Sequence, residues 1–472
     1  MQALAVGLLG MLRLACEASR WFLKMAGFTS LALRLYARWQ QAHADHRRIA
    51  TGFVIVSLFV ALAKGMAAFK EMAVAWRYGT SPVVDGYLFG TNLVLLPVSI
   101  WFSVLTVVLL PLVGRAATDD PLRLRRFRAE LLGLTLGLGL LAYPLARWGL
   151  GLLVTSGWSG LHGTAADTVL AMAPWLALLL PLGLVASLWS AWTMAGGGHR
   201  NTLFEGIPAV CILVAVLALP GAAGETLLWG TVGGFLVQAA CLAVPLATRK
   251  ELEAPGWDLT SPHWAPFRQG FLVMLAAQVL MGLGGILDQF AAARLGEGAI
   301  ATLGYANRLL ALVLGLGATA VSRAILPVLS GMAEGDAAHR QRLVRRWVGM
   351  MLGVGVVAAA IGWLLAPWGV RVLFQRGAFT AGDTAAVAQM LRWSLLMVPC
   401  YMANLVLVAN LTSQRRYGIF IRLNAVNLTV KAGLLFVLVP ILGIAGVPLS
   451  GVGMYVVSCL GLHWASHRKV GR

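Results

Sequence analysis

The stretch Val60–Tyr87, VALAKGMAAFKEMAVAWRYGTSPVVDGY, decides how this chain is read. It starts as an apolar run long enough to cross a bilayer, yet it carries Lys64, Lys70 and Glu71 inside the run and Asp85 just past the break Gly79-Thr80-Ser81-Pro82. A charge near the bilayer centre costs about 2.5–3.5 kcal/mol on insertion scales, so such groups face a bundle interior or a wet cavity. The helix is therefore expected to line a hydrated pathway.

The rest of the chain has the composition of a membrane protein. Of 472 residues, 59% are hydrophobic and 12% charged, far from a soluble domain. Apolar runs recur along the chain, and at about 20 residues per span they make about twelve helices of an all-α integral membrane protein. The 54 glycines fit close helix–helix approach in lipid.

The formal charge of +19 does not point to nucleic acid, because the basic residues sit in short connectors rather than in one soluble domain. Arg115–Arg128, Arg249-Lys250, Arg340–Arg346, Arg415-Arg416 and the tail His467–Arg472 are rich in them, whereas Pro220–Glu225 and Gly443–Gly446 carry almost none. The positive-inside rule then places both termini and alternate loops in the cytoplasm of a multi-pass inner-membrane protein. Such loops also attract anionic lipid headgroups. Residues 1–48 interleave apolar and basic side chains, as in a helix lying on the inner face. A mis-assigned start is the competing reading of that segment.

Two halves of the sequence repeat. Tyr87, Pro111 and LRLRRF are matched by Tyr305, Pro327 and RQRLVRRW. LARWG at Leu145–Gly149 returns as LAPWG at Leu365–Gly369, and TAADT at Thr164–Thr168 as TAGDT at Thr380–Thr384. These pairs keep one order and an offset of about 216–220 residues, which reads as a duplicated unit. The expected organisation is a segment 1–48, a first six-helix lobe 49–250, a linker 251–267 and a second lobe 268–472. An even helix number gives both lobes the same sidedness and relates them by an axis along the membrane normal, with substrate between them.

Lys64 and Glu71, seven apart, share one face of the first helix about 10 Å apart along its axis, while Lys70 points elsewhere. These groups make either structural ion pairs or a cationic, partly neutralised cavity for an anionic headgroup. In the second half, Asp288 in GGILDQF falls mid-span, with Arg294 near Gly296 and Arg308 in GYANRLLAL. Asp288 either carries a coupling Na⁺ or H⁺ or pairs with Arg308 or Arg294. Arg323 snorkels to an interface, and Lys431 lies deep in its run.

Other chemistries are set aside. The chain has no HExxH, no GxxxxGK[ST] and no GxSxG, and the glycine-rich Ala195–Arg200 lacks the lysine and preceding strand of a phosphate loop. Histidines such as His162, His199, His263 and His339 fall in connectors, and the five cysteines show no paired spacing. No metal, cofactor or enzyme activity is expected.

Three segments carry a family resemblance: AKGMAAFKEMAVAWRYGTSPVVDGY, Gly304–Asp336, and above all LFQRGAFTAGDT at Leu373–Thr384. Together they resemble the MurJ (MviN) family of lipid II flippases, within the multidrug/oligosaccharidyl-lipid/polysaccharide exporter superfamily, from Arg48 to about Arg468. The resemblance implies a V-shaped transporter that carries an undecaprenyl-pyrophosphate-linked saccharide from the inner to the outer leaflet by alternating access. Lys64 and Lys70 match cationic positions of the first helix where arginine is usual. Asp85 matches an acidic position at the start of the second, Arg308 the arginine of a YADRL-like segment, and Arg294 only approximately. Lysine keeps the charge but loses the bidentate fork.

The chain also departs from the family. Val98 stands about where a further arginine is usual and Ala311 where an acid is, and twelve helices are expected here where many members of the family add two. The substrate is then lipid II or another lipid-linked glycan, such as one for an exopolysaccharide or O-antigen. Ion or membrane-potential coupling and contact with cell-envelope biosynthesis proteins are further expectations. A drug/cation antiporter on the same superfold, a glycan polymerase or ligase, and a scaffold are the alternatives.

Overall fold

The computed structural model describes residues 44–119, 121–196, 201–221, 223–324, 337–414, 416 and 418–467, and shows helices without strands among them. The chain divides into two compact units, Met1–Ala61 and Leu62–Arg472. Of the first unit, only the opening of helix α1 is described. The expected interfacial segment 1–48 thus lies almost wholly outside the described residues, as does the side chain of Arg323.

Fifteen α-helices are described in chain order. In the first half of the sequence they are α1 (Ala44–Tyr78), α2 (Pro82–Asp119), α3 (Pro121–Thr155), α4 (Gly163–Ala177), α5 (Leu179–Ala195), the four-residue α6 (Asn201–Phe204), α7 (Ile207–Ala218) and α8 (Ala223–Thr248). The second half holds α9 (Trp264–Ala293), α10 (Ala299–Ala324), α11 (Ala337–Phe374), α12 (Ala381–Leu395), α13 (Val398–Ser413), α14 (Gly418–Leu442) and α15 (Gly446–His467).

Local chemistry sets these boundaries. α1 stops at Gly79, whose φ of +58° takes the left-handed turn and whose missing side chain lets the Ala378 carbonyl close in. Pro82 then opens α2 at the first helical position, where its absent N–H is no loss. α12 starts on a full capping box, Thr380 with Asp383. α14 and α15 fold back on each other through Gly443–Ala445, with Gly446 against the backbone of Leu438 and Gly453 against Leu434.

Among the described residues, six stretches are long and apolar enough to span a bilayer. The bent pairs α4–α5, at 45°, and α12–α13, at 42°, bring the number to eight. The expected twelve is reached when 418–466 counts as two helices and α1 and the shorter apolar Ile207–Ala218 and Ala299–Gly315 are included. The two bent pairs begin at Gly163 and Ala381, about 218 residues apart, which is the offset of the sequence motifs.

Within residues 62–472 a long seam joins the two halves where α2 packs on α9. Phe89 meets Phe290 with ring centroids 5.4 Å apart, and Trp101 meets Phe271 at 5.6 Å, both edge to face. Gly282 accepts Leu96 and Gly270 accepts Val108 further along. The connector between the halves is strapped to the start of α3. Buried Glu130 accepts hydrogen bonds from the Thr260 and Ser261 backbone N–H groups, both 3.1 Å, and from Trp264 Nε1 at 2.6 Å. Arg125–Glu253, Arg126–Asp258 and Arg128–Glu251 ion pairs flank it.

Candidate functional site

At the end of the bundle away from the basic loops, the turn after α1 is held by the second half of the chain. The Asp85 carboxylate accepts the backbone N–H groups of Gly298 at 2.5 Å and Ala301 at 2.7 Å. Those groups lie at the start of α10, where the first N–H groups have no partner within the helix and the macrodipole favours an anion. Ala378 N–H donates to the Trp76 carbonyl at 2.8 Å, the Tyr305 hydroxyl to the Gly79 carbonyl at 3.1 Å, and the Thr80 hydroxyl to Asp383. Buried Tyr305 packs there, tilted against Phe374 and edge to face with Phe379.

Below this layer lies a cavity of about 470 Å³ between α1, α2, α5, α7 and α8, closed on one side by Arg308 of α10. Glu71 of α1, buried, sits between two cations. It pairs with Lys70, and its other oxygen takes Arg308 Nη1 at 2.8 Å. Lys70 and Arg308 both line the cavity. The rest of the lining mixes apolar side chains such as Phe102, Ile212 and Phe235 with polar ones: Asn92, Ser187, Ser190 and Gln238, and Tyr87 and Thr231, which share a 2.7 Å hydrogen bond. Glu205 stands in the wall near α6, held by Asn201, which also binds Ser190.

Several sequence expectations change with this geometry. Lys70 does not point away: its flexible four-carbon stem folds beside Glu71 and brings the ammonium into the cavity. Lys64 is exposed and outside the lining; two turns further along α1, its charge acts on Glu205 instead. Asp85 caps α10 rather than facing the cavity. Arg294 closes α9 as its C-cap and packs on Gly160, outside the cavity. Val98, where an arginine was considered, is buried and fills space against Gly183.

Asp288 pairs with neither Arg308 nor Arg294. Its Oδ2 holds buried Lys431 of α14 at 2.7 Å, and its Oδ1 is buried with no hydrogen-bond partner. The pair lines a second cavity of about 320 Å³ between α9, α10, α12, α14 and α15, with Asn307, Ala311, Ser394 and Tyr455. Four of these helices, α9, α10, α14 and α15, correspond under the repeat to α1, α2, α7 and α8 around the first cavity. Sequence reading missed this ion pair because about 143 residues separate its members and no local pattern joins them. Glu130 was missed for the same reason.

A cavity lined by charged and polar groups in a membrane bundle of two repeated halves is the architecture of the multidrug and lipid-linked-saccharide exporter fold. Solved structures agree. The chain superposes on "Lipid II flippase MurJ, inward closed conformation" with a TM-score of 0.72 at 16% identity, covering 87% of each chain. It superposes on a multidrug resistance MATE family transporter of the MOP superfamily, in its inward-facing conformation, with a TM-score of 0.69 at 15% identity over 85% of this chain and 93% of that one. The family model for lipid II flippase MurJ matches residues 206–471, more than half of the chain, and the chain belongs to that family. It is a family of transporters, not enzymes.

Among curated relatives, the probable lipid II flippase MurJ of Bdellovibrio bacteriovorus is 33% identical over 233 residues, 48% of this chain and 44% of that protein. That of Rhizobium tropici is 31% identical over 155 residues, 33% of this chain and 29% of that protein. The match thus spans less than half the length of these relatives.

Proposed function

We propose that this protein is a flippase for an undecaprenyl-pyrophosphate-linked saccharide, moving it from the inner to the outer leaflet of the bacterial inner membrane by alternating access, with lipid II the leading substrate. The observation that carries this is the Lys70–Glu71–Arg308 cluster in the wall of the 470 Å³ cavity. A pyrophosphate cannot cross hydrocarbon bare, and the ammonium and guanidinium replace its water with charge-assisted hydrogen bonds. At rest Glu71 supplies the anion that both cations need. An arriving pyrophosphate competes with Glu71 for Arg308, so binding and the contact between α1 and α10 are linked. The polar side chains of Asn92, Ser187, Ser190 and Gln238 face the sugars.

In this reading residues 49–250 and 268–472 are the two lobes, the basic loops and both termini are cytoplasmic, and the layer around Asp85 is the outer closure. Lys64, Arg294 and Asp85 support the site from outside its lining. The test is turnover of labelled lipid-linked saccharide in proteoliposomes. Wild type should move it, and Lys70→Ala and Arg308→Ala should not; equal turnover in both variants refutes the cavity role. Comparing lipid II with an O-antigen-type lipid-linked oligosaccharide settles the glycan.

For coupling we keep Asp288 and favour a proton over Na⁺. Lys431 already occupies the cation's place on the carboxylate, so a sodium ion would sit beside an ammonium, whereas a proton adds to the unpartnered Oδ1 without meeting it. Replacing Na⁺ by choline should leave turnover unchanged. A strict Na⁺ requirement refutes this choice.

A further inference from the structure

Arg392 of α12, two residues from Ser394 of the second cavity, faces a separate groove. Pro367, inside α11, has no N–H, so the Trp363 carbonyl one turn earlier has no helical donor. Arg392 Nε fills that vacancy at 2.9 Å, and its guanidinium lies over the Trp363 ring, 5.8 Å from the centroid. Among the described residues no carboxylate pairs with Arg392, and no protein acceptor takes its terminal nitrogens. The charge is therefore anchored by its stem and left without an anion.

Arg392 opens into a groove of about 440 Å³ between α11 and α12, lined also by Trp363, Pro367, Ala385, Gln389 and Trp393. Trp393 Nε1, buried with no hydrogen-bond partner, is a second unfilled donor that a ligand in the groove reaches when the ring, edge to face with Trp363, shifts. Exposed Trp368 marks the interface level on α11, and Trp363 lies about 8 Å below it. The guanidinium is held at the depth of Trp363, so a phosphate that meets it sits below the interface level. The surrounding surface is Leu364, Leu365 and Leu396, all exposed, so whatever enters the groove has acyl chains beside it.

We propose that the α11–α12 groove binds an anionic phospholipid headgroup, whose phosphodiester accepts hydrogen bonds from Arg392 and from the Trp393 Nε1–H while its chains lie on the leucine surface. The lone positive charge sets the preference: an anionic lipid neutralises it, whereas a zwitterionic headgroup brings an ammonium that no carboxylate in the groove receives. The apolar rim favours a lipid over free phosphate. The site stands independently of the transported substrate.

The test is native mass spectrometry of the full chain in detergent, titrated with phosphatidylglycerol or phosphatidylethanolamine. Wild type should retain phosphatidylglycerol and bind phosphatidylethanolamine far more weakly. Arg392→Gln should weaken phosphatidylglycerol by about tenfold or more, as loss of a hydrogen bond from a charged group implies, and Trp393→Phe by about threefold. Unchanged thermal unfolding of Arg392→Gln without added lipid shows that its fold is intact. If that variant does not fold, Trp393→Phe and the contrast between the two lipids decide. Equal phosphatidylglycerol binding in wild type and variants, or equal binding of both lipids, overturns the site. A dimer in wild type that is lost in Arg392→Gln also overturns it, by giving the groove to a second copy of the chain.

Discussion

Replacing Asp85 by Asn should loosen the end of the bundle away from the basic loops. The carboxylate now accepts two backbone N–H groups at the start of α10. Asparagine keeps one acceptor oxygen, turns one charge-assisted bond into a neutral one, and sets an NH₂ against the second N–H, which is left unsatisfied. Hydrogen bonds to charged groups are worth about 1.5–3 kcal/mol, neutral ones about 1, and an unsatisfied buried donor costs about 1–3. The net is about 3 kcal/mol, or roughly 150-fold in the ratio of closed to open at this end, since 1.4 kcal/mol is tenfold. An end closed 99:1 would become nearly evenly divided.

Spin labels at exposed Trp158 and Gly382, one in each half of the sequence, read this as a second, longer distance in double electron–electron resonance. A variant distribution that superposes on wild type, with unchanged thermal stability, would show that Asp85 does not hold the closure.

Glu71→Gln should leave Arg308 without its anion and lower thermal stability, while an added pyrophosphate-bearing lipid should restore more stability to the variant than to wild type; a calorimetric titration checks the difference. Lys431→Ala should destabilise by about 3–5 kcal/mol, because it strands Asp288 in the membrane, and Lys431→Met with Asp288→Asn should recover most of that; thermal unfolding of the single and double variants measures it. Glu130→Gln should weaken the four hydrogen bonds it accepts from Thr260, Ser261 and Trp264, and cleavage after Arg249 or Lys250 by trypsin should speed up several-fold. Gly446→Ala should lower the unfolding temperature, since its Cβ would come within 2.7 Å of the Leu438 backbone.

The fold was legible because its two signals are local: apolar runs of spanning length and motifs recurring at a fixed offset. The opening charged helix also pointed to the right wall, since Lys70 and Glu71 do border the cavity. What the sequence could not assign was which charge meets which. Seven-residue spacing put Lys64 and Glu71 on one face, but cavity depth, set by α5, α7 and α8, decides that Lys64 falls beyond it. Asp85 looked like a substrate contact because its partners are backbone N–H groups more than 200 residues away, which no side-chain pattern records. Asp288 and Lys431 each looked solitary for the same reason. Pro367 and Arg392 could be joined only once two helices lay side by side, for the link is a carbonyl that one residue frees and the other takes.

The continuous α2–α9 contact bears on the route of a polyprenyl tail. Edge-to-face rings and glycine-to-side-chain contacts close that flank at Phe89, Leu96, Trp101 and Val108. Under the proposed function, a lipid whose head rests at Lys70 and Arg308 would hang its tail away from that seam, on the α1–α10 flank where the two cations stand. The charged cluster would then stand at the doorway of that exit, where the head and tail of one molecule part company.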